Sequence, residues 1–221
     1  MAIQLDEIRA AAERVAASHD LDVVDVEFSG GAKFRTLRVF IEKNAEARAR
    51  LAAQANAQQT VEAAENSEPF MMSIMLPQGV PVEMLSGVTH EDCERFARDF
   101  GTLLDVEDVI PGAEYTLEVS SPGLERKLAK PNDFVRFLGS LVKVQTFTAV
   151  AQGSGPRVQG SGSKDQGTRH FQGRLTQFEN GTLTVDLAAL KQKGKARKAT
   201  AAQTVEIAFD NVEKANLIAE I

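Results

Sequence analysis

The stretch YTLEVSSPGLERKL (115–128) constrains the fold strongly, because a regular strand pattern ends there at a Pro-Gly dipeptide. Its first six residues alternate between apolar and polar side chains, as in a strand that buries one face. Pro122 fixes its own φ, and Gly123 accepts the positive φ that tight turns require. A strand does not continue through such a dipeptide, so we predict a joint between two domains.

The net charge changes sign at this joint. Residues 1–121 contain 10 Lys and Arg against 22 Asp and Glu, which gives −12, whereas residues 122–221 contain 15 against 9, which gives +6. An acidic half suits a basic protein partner and a basic half suits phosphate groups. Solubility alone is an equally good explanation of the charges.

The composition argues for a cytoplasmic protein. Cys93 is the single cysteine, so the chain has no internal disulfide and fits a reducing compartment. The longest apolar run, 69–76, is too short to span a bilayer. The N-terminal residues lack the basic and apolar segments of an export signal. We therefore expect no membrane partner.

The acidic half begins with the pattern of a helix followed by a strand. Apolar residues recur at helical spacing over 3–18, and LDVVDVEF (21–28) then alternates between apolar and acidic residues. The alternation predicts that one face of this strand is buried. The residues on that face are Val24, Val26 and Phe28.

The rest of this half completes an α-β-β-α-β order. TLRVFIE (36–42) predicts a second strand, joined to the first by a loop that contains the basic residues Lys33 and Arg35. Thr89 has the position of a helix N-cap. Cys93 lies on the apolar face of that helix, which favours a small core residue over a nucleophile. Helices on one face of a three-stranded sheet are expected.

The basic half predicts a small β-barrel. KPNDFVRFLGS suggests a short helical turn, and ENG (179–181) is a strong hairpin-turn signal. Five short strands within about a hundred residues are typical of such a barrel. The strand patterns are LVKVQTF (141–147), RHFQGRLTQF (169–178), TLTVDL (182–187), QTVEIAF (203–209) and DNVEKANLI (210–218).

Three segments interrupt these patterns and are interpreted as insertions: 44–87, 148–168 and 188–202. The first is rich in Ala, Gln and Glu, which allows a solvated helix or disorder. The second is rich in Gly and Ser. The third is rich in lysine without aromatic residues, so that contact with nucleic acid there would involve phosphates only.

No sequence pattern indicates catalysis, a metal site or a cofactor. His19, His90 and His170 are far apart, and the phosphate-binding glycine motifs are missing. Ser120 and Ser121 lack the flanking small residues and following helix of a nucleophile elbow. We expect a non-enzymatic protein, with a serine hydrolase using one of these serines as a weaker alternative.

The stretch YTLEVSSPGLERKL resembles the signature of the bacterial ribosome maturation factor RimP family. The segments LDVVDVEF, TLRVFIE, THEDCERFARDFGTLLDVED and VEKANL resemble corresponding segments of that family in the same order. The resemblance covers most of 3–43, 88–147 and 169–221. The matching positions are Leu117, Glu118, Val119, Ser120, Ser121, Pro122, Gly123, Leu124 and Arg126, with Lys214, Ala215 and Asn216 in the closing segment.

The resemblance implies an α+β protein. Its expected organisation is an N-terminal α-β-β-α-β domain (1–121), a joint (122–130) and a C-terminal SH3-like, or Sm-like, small β-barrel (131–221). The resemblance further implies a non-enzymatic factor that binds the small ribosomal subunit precursor, and we expect this factor to be a monomer. Such a factor assists late assembly, including incorporation of small-subunit ribosomal protein twelve, and contacts with rRNA phosphates are expected.

The predicted partner-binding residues lie at the joint, on the first hairpin and on the last strand. At the joint, we expect Leu124 to anchor the chain, and Arg126 and Lys127 to point to water. A free-standing Sm-like RNA-binding regulator, which would form rings, is the alternative function. The predicted contact residues are Lys33, Arg35, Ser120, Ser121, Pro122, Gly123, Leu124, Arg126, Lys127 and Lys214.

Overall fold

The chain divides at the Pro-Gly turn into two units, Met1–Gly123 (unit 1) and Leu124–Ile221 (unit 2). Both combine helices with a β-sheet, so the fold is α+β. The computed structural model describes residues 4–30, 34–62, 85–112, 114–150, 167–189 and 204–220.

Unit 1 has the predicted α-β-β-α-β order with one extra helix after the hairpin. Strand β2 is central in the sheet, antiparallel to β1 and parallel to β3. Helices α1 and α3 both contribute to the core beneath this sheet. The elements are α1 (Leu5–Ser18), β1 (Leu21–Gly30), β2 (Arg35–Lys43), α2 (Ala45–Glu62), α3 (His90–Glu107) and β3 (Tyr115–Ser120).

The core of unit 1 follows the sequence periodicities. Alternate residues of β2 are buried, and residues at helical spacing on α1 and α3 pack against them. The rings of Phe96 and Phe100 lie 5.3 Å apart. Cys93 is partly buried and contacts this core, as predicted. Other core residues are Ile8, Ala12, Val15, Leu37, Val39, Ile41 and Leu104.

The predicted inner face of β1 is only partly correct. The register of β1 against β2 shifts between Val23 and Asp25, which marks a bulge at Val24. The bulge moves Val23 into the core cluster, while Val24 is buried outside it, and Val26 and Phe28 contact the core as predicted. Asp25 is buried and lies 2.9 Å from the guanidinium of Arg9. Strict alternation could not anticipate the extra residue.

Helices α2 and α3 begin with side-chain caps. The Thr89 hydroxyl accepts a hydrogen bond from the amide of Asp92, whose carboxylate accepts one from the amide of Thr89. This capping box confirms the predicted start of α3. The Asn44 side chain accepts a hydrogen bond from the backbone amide of Ala47 and so caps α2. Helix α2 shows that the first part of the predicted insertion is helical.

Unit 2 contains a short helix and a five-stranded antiparallel sheet in the order β7-β6-β5-β4-β8. Asn180 and Gly181 have φ values of 50° and 71°, which confirms the ENG turn between β5 and β6. The described pairings leave β7 and β8 at opposite ends of the sheet. The elements are α4 (Pro131–Arg136), β4 (Leu141–Val150), β5 (Thr168–Glu179), β6 (Thr182–Asp186), β7 (Thr204–Ala208) and β8 (Val212–Leu217).

Unit 2 builds its core from alternate strand residues and from phenylalanines. Phe134 stacks on Phe178 at 5.4 Å, and Phe209 meets both rings edge-on. A 3₁₀ turn, Phe209–Asn211, connects β7 to β8. The core strand residues are Val142, Val144, Phe171, Leu175, Leu183, Val185, Val205, Ile207 and Ala215.

The predicted strand positions are confirmed, with small differences at their ends. Strand β4 continues to Val150 and so extends into the segment interpreted as an insertion. Leu187, placed at the end of a strand, begins a 3₁₀ turn (Leu187–Ala189). The apolar run 69–76 and the lysine-rich part of 188–202 lie outside the described residues.

Candidate binding surfaces

The joint residues of unit 1 form an exposed turn after β3. Ser120 pairs with Phe40 as the last residue of the strand, and both Ser120 and Ser121 are exposed. Gly123 has a φ of 69°, which is the left-handed conformation predicted for this position. The turn therefore presents two hydroxyls to solvent.

The predictions for Leu124 and Arg126 were wrong. Leu124 is 67% exposed and does not anchor the chain, whereas Arg126 is only 4% exposed. The Arg126 guanidinium lies 2.9 Å from the Asp133 carboxylate and 4.9 Å from the centroid of the Phe137 ring. The Asp133 carboxylate also accepts a hydrogen bond from the backbone amide of Ala129. The sequence analysis did not identify this ion pair, because it depends on how the chain folds back between Arg126 and α4.

Lys127 is held at the edge of the sheet in unit 2 and does not simply point to water. It forms an isolated antiparallel bridge with Asn216. On its two sides, the Leu128 amide donates to the Ala215 carbonyl, and the Leu217 amide donates to the Arg126 carbonyl. Residues 126–128 therefore act as a short additional strand beside β8, which sets Lys127 next to that strand.

This pairing brings together basic residues from three parts of the chain. Lys143 on β4 pairs with Gln172 of β5 on one side and with Asn216 of β8 on the other. Two residues further along β4, Gln145 pairs in the same way with His170 and Lys214. These side chains alternate with buried ones, so they lie on the outward side of the sheet. We call this surface the cationic face. It comprises Lys127, Lys143, Gln145, His170, Gln172, Lys214 and Asn216.

The lysines of the cationic face differ from the arginines beside it. Arg169 lies 2.9 Å from Glu213, and Arg174 lies 2.8 Å from Glu220. Within the described part of the chain, Lys143 and Lys214 form no ion pair. Their charges are therefore open to an external anion. The alternation of Lys143 with Val142 and Val144 was the available sequence signal, and the prediction missed it.

The outward sheet face of unit 1 has the opposite character. Glu27, Arg38 and Glu118 lie side by side across the three strands. The Arg38 Nε donates to Glu118 at 2.7 Å, and this hydrogen bond raises the pKa of Arg38 above its ordinary value. Polar residues of the next row, Thr36 and Thr116, are uncharged. We call the row Glu27–Arg38–Glu118 the acidic row, because it keeps one net negative charge.

The predicted basic cluster on the first hairpin is described only in part. Arg35 donates to the Pro111 carbonyl at 3.1 Å, and its guanidinium lies 5.3 Å from the centroid of the Phe28 ring. Phe34 beside it is 84% exposed. Lys33 lies outside the described residues. The described contacts of Arg35 thus tie it to its own unit.

Two features of the described residues bear on other classes of function. Among them, no group of three or more His, Cys, Asp or Glu residues is arranged to hold a metal ion. The helices within the described ranges include none that is both long and apolar enough to cross a membrane.

A comparison with protein families gives a match to the RimP N-terminal domain over residues 60–125. The matched region includes α3, β3 and the Pro122-Gly123 turn, which carry the capping box and the strand ending described above. These segments were also among those on which the sequence resemblance rested. This match supports the resemblance of the chain to the RimP family of ribosome maturation factors.

Proposed function

We propose that this protein is a non-catalytic maturation factor that binds the small ribosomal subunit precursor and assists its late assembly. The match to the RimP N-terminal domain carries the proposal. The opposite net charges of residues 1–121 and 122–221 support a two-sided contact with a ribonucleoprotein particle.

The cationic face is the surface proposed to contact rRNA phosphates. Lys127, Lys143 and Lys214 supply positive charge, and the amides of Gln172 and Asn216 add donors and acceptors beside them. Lysines neutralise phosphates without regard to base sequence and release counterions when they do so. Affinity for the particle should therefore fall as salt concentration rises.

Unit 1 is proposed to contact a basic ribosomal protein, with small-subunit ribosomal protein twelve as the expected partner. The net charge of −12 over residues 1–121 favours encounter with a cationic surface. The exposed residues Ser120 and Ser121 are proposed as further contacts of unit 1, and exposed Leu124 is proposed separately as a contact of unit 2. Buried Arg126 would act by positioning the chain that carries Lys127.

We also propose that the five-stranded sheet of unit 2 is an SH3-like barrel. The order β7-β6-β5-β4-β8 places the two end strands on either side of a 3₁₀ turn, Phe209–Asn211. Closure of these ends would remove two exposed sheet edges. This barrel, at 131–221 after a joint at 122–130, would belong to a monomeric cytoplasmic protein.

Sedimentation of a cell extract tests the proposed function. The protein should travel with free small subunits and their precursors and be missing from complete ribosomes. Co-sedimentation with complete ribosomes at the same occupancy, or with no ribosomal particle, would contradict an assembly role.

A free-standing Sm-like RNA-binding regulator is the second candidate, because the five-stranded order with a cationic face would also suit RNA binding alone. Such a protein would form rings and bind free RNA as tightly as ribosomal particles. Analytical ultracentrifugation combined with competition between the two ligands separates the candidates. The maturation factor should be monomeric and prefer the particles.

A further inference from the structure

We propose that Phe147 is a platform on which an unpaired RNA base stacks, while the cationic face beside it holds the flanking phosphates. This inference deepens the proposed function by naming single-stranded RNA as the ligand of unit 2. Phe147 is 59% exposed, although burial of an aromatic side chain is normally favourable.

Phe147 lies in a large bulge of β4. Gln145 pairs with His170 and Val150 pairs with Thr168, so that four residues of β4 lie opposite Arg169 alone. A bulge of this kind redirects side chains and is often found next to functional sites. The bulge is part of the described strand β4 (Leu141–Val150).

Both neighbours of Phe147 are fixed by side-chain hydrogen bonds. On one side, Arg169 Nε donates to the Thr146 carbonyl at 2.8 Å, and the Thr146 hydroxyl donates to the Thr148 carbonyl at 2.8 Å. On the other side, the Thr148 amide and hydroxyl donate to Asn211 Oδ1 at 2.9 and 2.8 Å. The bulge is therefore held in one backbone conformation, with its aromatic ring exposed before any ligand arrives.

Phe147 borders the cationic face. Buried and outward side chains alternate along β4 up to buried Thr146, and the bulge then exposes Phe147 two residues after outward Gln145. Gln145 is also the cross-strand partner of Lys214 and His170. Lys143 precedes Phe147 by four residues, which is at most about 13 Å along a strand, and Lys214 lies opposite Gln145 on β8. The ring and the lysines are therefore within reach of neighbouring nucleotides of one RNA strand.

The combination of an exposed aromatic ring with unpaired lysines favours RNA as the occupant. Base stacking on aromatic rings tolerates any base, and neighbouring cations bind the backbone. An apolar protein surface would bury the Phe147 ring but would provide no anion to bind Lys143 and Lys214. Paired RNA would satisfy the lysines but offers no free base to the ring.

Fluorescence anisotropy with a labelled single-stranded oligoribonucleotide of about ten nucleotides tests the proposal, since related binding sites cover roughly 4–16 nucleotides. Phe147→Ala should weaken binding by about 5- to 150-fold, the range seen when a stacking aromatic is removed. Val135→Ala removes a comparably exposed apolar side chain from α4 and should leave affinity unchanged.

A second readout separates stacking from a structural role. The chain contains no tryptophan, so Phe147→Trp introduces a single fluorescent indole. The single strand should quench this indole, and a duplex of the same length should not. Asn211→Ala, which releases Thr148, should reduce affinity while unit 2 stays folded by circular dichroism.

Equal affinity of the parent protein and Phe147→Ala, or an indole unaffected by the single strand, would overturn the stacking proposal. The proposal would also be overturned if a ribosomal protein bound Phe147→Trp tightly and quenched its indole fluorescence while RNA did not. That result would show that the ring contacts a protein. Sedimentation with small subunits is measured separately. Loss of stacking with co-sedimentation intact would thus leave the proposed function standing.

Discussion

The two units use their charged residues in different ways. At least eight of the nine described Lys and Arg residues of unit 1 lie within ion-pair distance of a carboxylate, and Arg35 donates to a backbone carbonyl. In unit 2, Lys143 and Lys214 form no ion pair with any described residue. Unit 1 thus keeps a surplus of carboxylates, and unit 2 keeps open cations.

This contrast shows why net charge alone is a weak guide to a binding surface. Internal pairs such as Lys43–Asp92 stabilise their own unit and are unavailable to a partner. Lys143 and Lys214 form no ion pair with a described residue, and the carboxylate of Glu213 beside Lys214 is bound to Arg169 and Gln145. The cationic face is therefore a better candidate for phosphate contact than any basic residue of unit 1.

The largest expected effect comes from reversing the charge of the cationic face. Lys143→Glu combined with Lys214→Glu should weaken binding to small-subunit precursors by roughly 10- to 100-fold near physiological salt, because two phosphate contacts become repulsive. The matched control is Arg95→Glu combined with Arg98→Glu, which changes net charge equally on the surface of α3. Equal losses in both double variants would show that total charge, and not this face, determines affinity.

One glycine in each unit allows the packing of the two units to be compared by substitution with alanine. A Cβ on Gly173 of β5 would lie 2.3 Å from the Asp186 carbonyl oxygen. Gly173→Ala should therefore lower the free energy of unfolding of unit 2 by about 1–3 kcal/mol. A Cβ on Gly101 of α3 meets only Leu117 at 4.0 Å, so Gly101→Ala should stabilise unit 1 by about 0.5–1 kcal/mol.

Urea unfolding followed by circular dichroism measures both glycine substitutions. Unchanged stability of Gly173→Ala would contradict the described close approach between β5 and β6, and destabilisation by Gly101→Ala would contradict the space described beside α3.

Asp92 tests the internal ion pairs of unit 1. Partial burial opposes its ionisation, but hydrogen bonds from Lys43 and Thr89 outweigh burial and lower the pKa of the carboxyl. A lowered pKa adds stability above the unfolded value near 4, and this stability is lost as pH falls through the folded value. Asp92→Ala should cost about 1–2 kcal/mol at pH 7 and progressively less at acidic pH.

Thermal unfolding between pH 3 and pH 7, scanned for the parent and Asp92→Ala, measures this difference. Glu94→Ala breaks an exposed pair on the same helix and should change stability by less than about 0.5 kcal/mol. If the destabilisation caused by Asp92→Ala does not decrease at acidic pH, the claim that an ionised Asp92 carboxylate stabilises α3 is wrong.

The smallest expected effect concerns Cys93. Burial, followed by the charge of Asp92, raises the pKa of its thiol. The thiolate is therefore rare at neutral pH, and a thiol reagent should react more slowly with the native protein than with the urea-unfolded chain. Faster reaction in the native state would indicate an activated cysteine and overturn its assignment to the core of unit 1.

Much of the fold could be predicted from residue periodicity. The sites of Phe96, Phe100 and Leu104 on α3, and the alternation along β2, follow directly from burial of one face. The bulge at Val24 could not be predicted, because inserting one residue leaves a plausible alternating pattern on either side. Local sequence does not specify cross-strand register.

The candidate surface was less predictable than the fold. Lys127 and Lys214 were both among the predicted contact residues, but their proximity depends on the bridge between Lys127 and Asn216. Arg126 and Lys127 are adjacent in sequence, yet Arg126 is buried against Asp133 and Lys127 belongs to the cationic face. The exposure of Phe147 could not be predicted from its strand pattern. The bulge that contains Phe147 is held by a hydrogen bond between Thr148 and Asn211, which is distant in sequence.

The most direct test of the account is the salt dependence of binding to purified small-subunit precursors. For the parent protein, the logarithm of the association constant should fall linearly with the logarithm of salt concentration. The slope should become shallower by about 1.4–1.8 when Lys143 and Lys214 are both replaced by alanine. Binding that is insensitive to salt, or a slope unchanged by this double substitution, would contradict the claim that the cationic face holds rRNA phosphates.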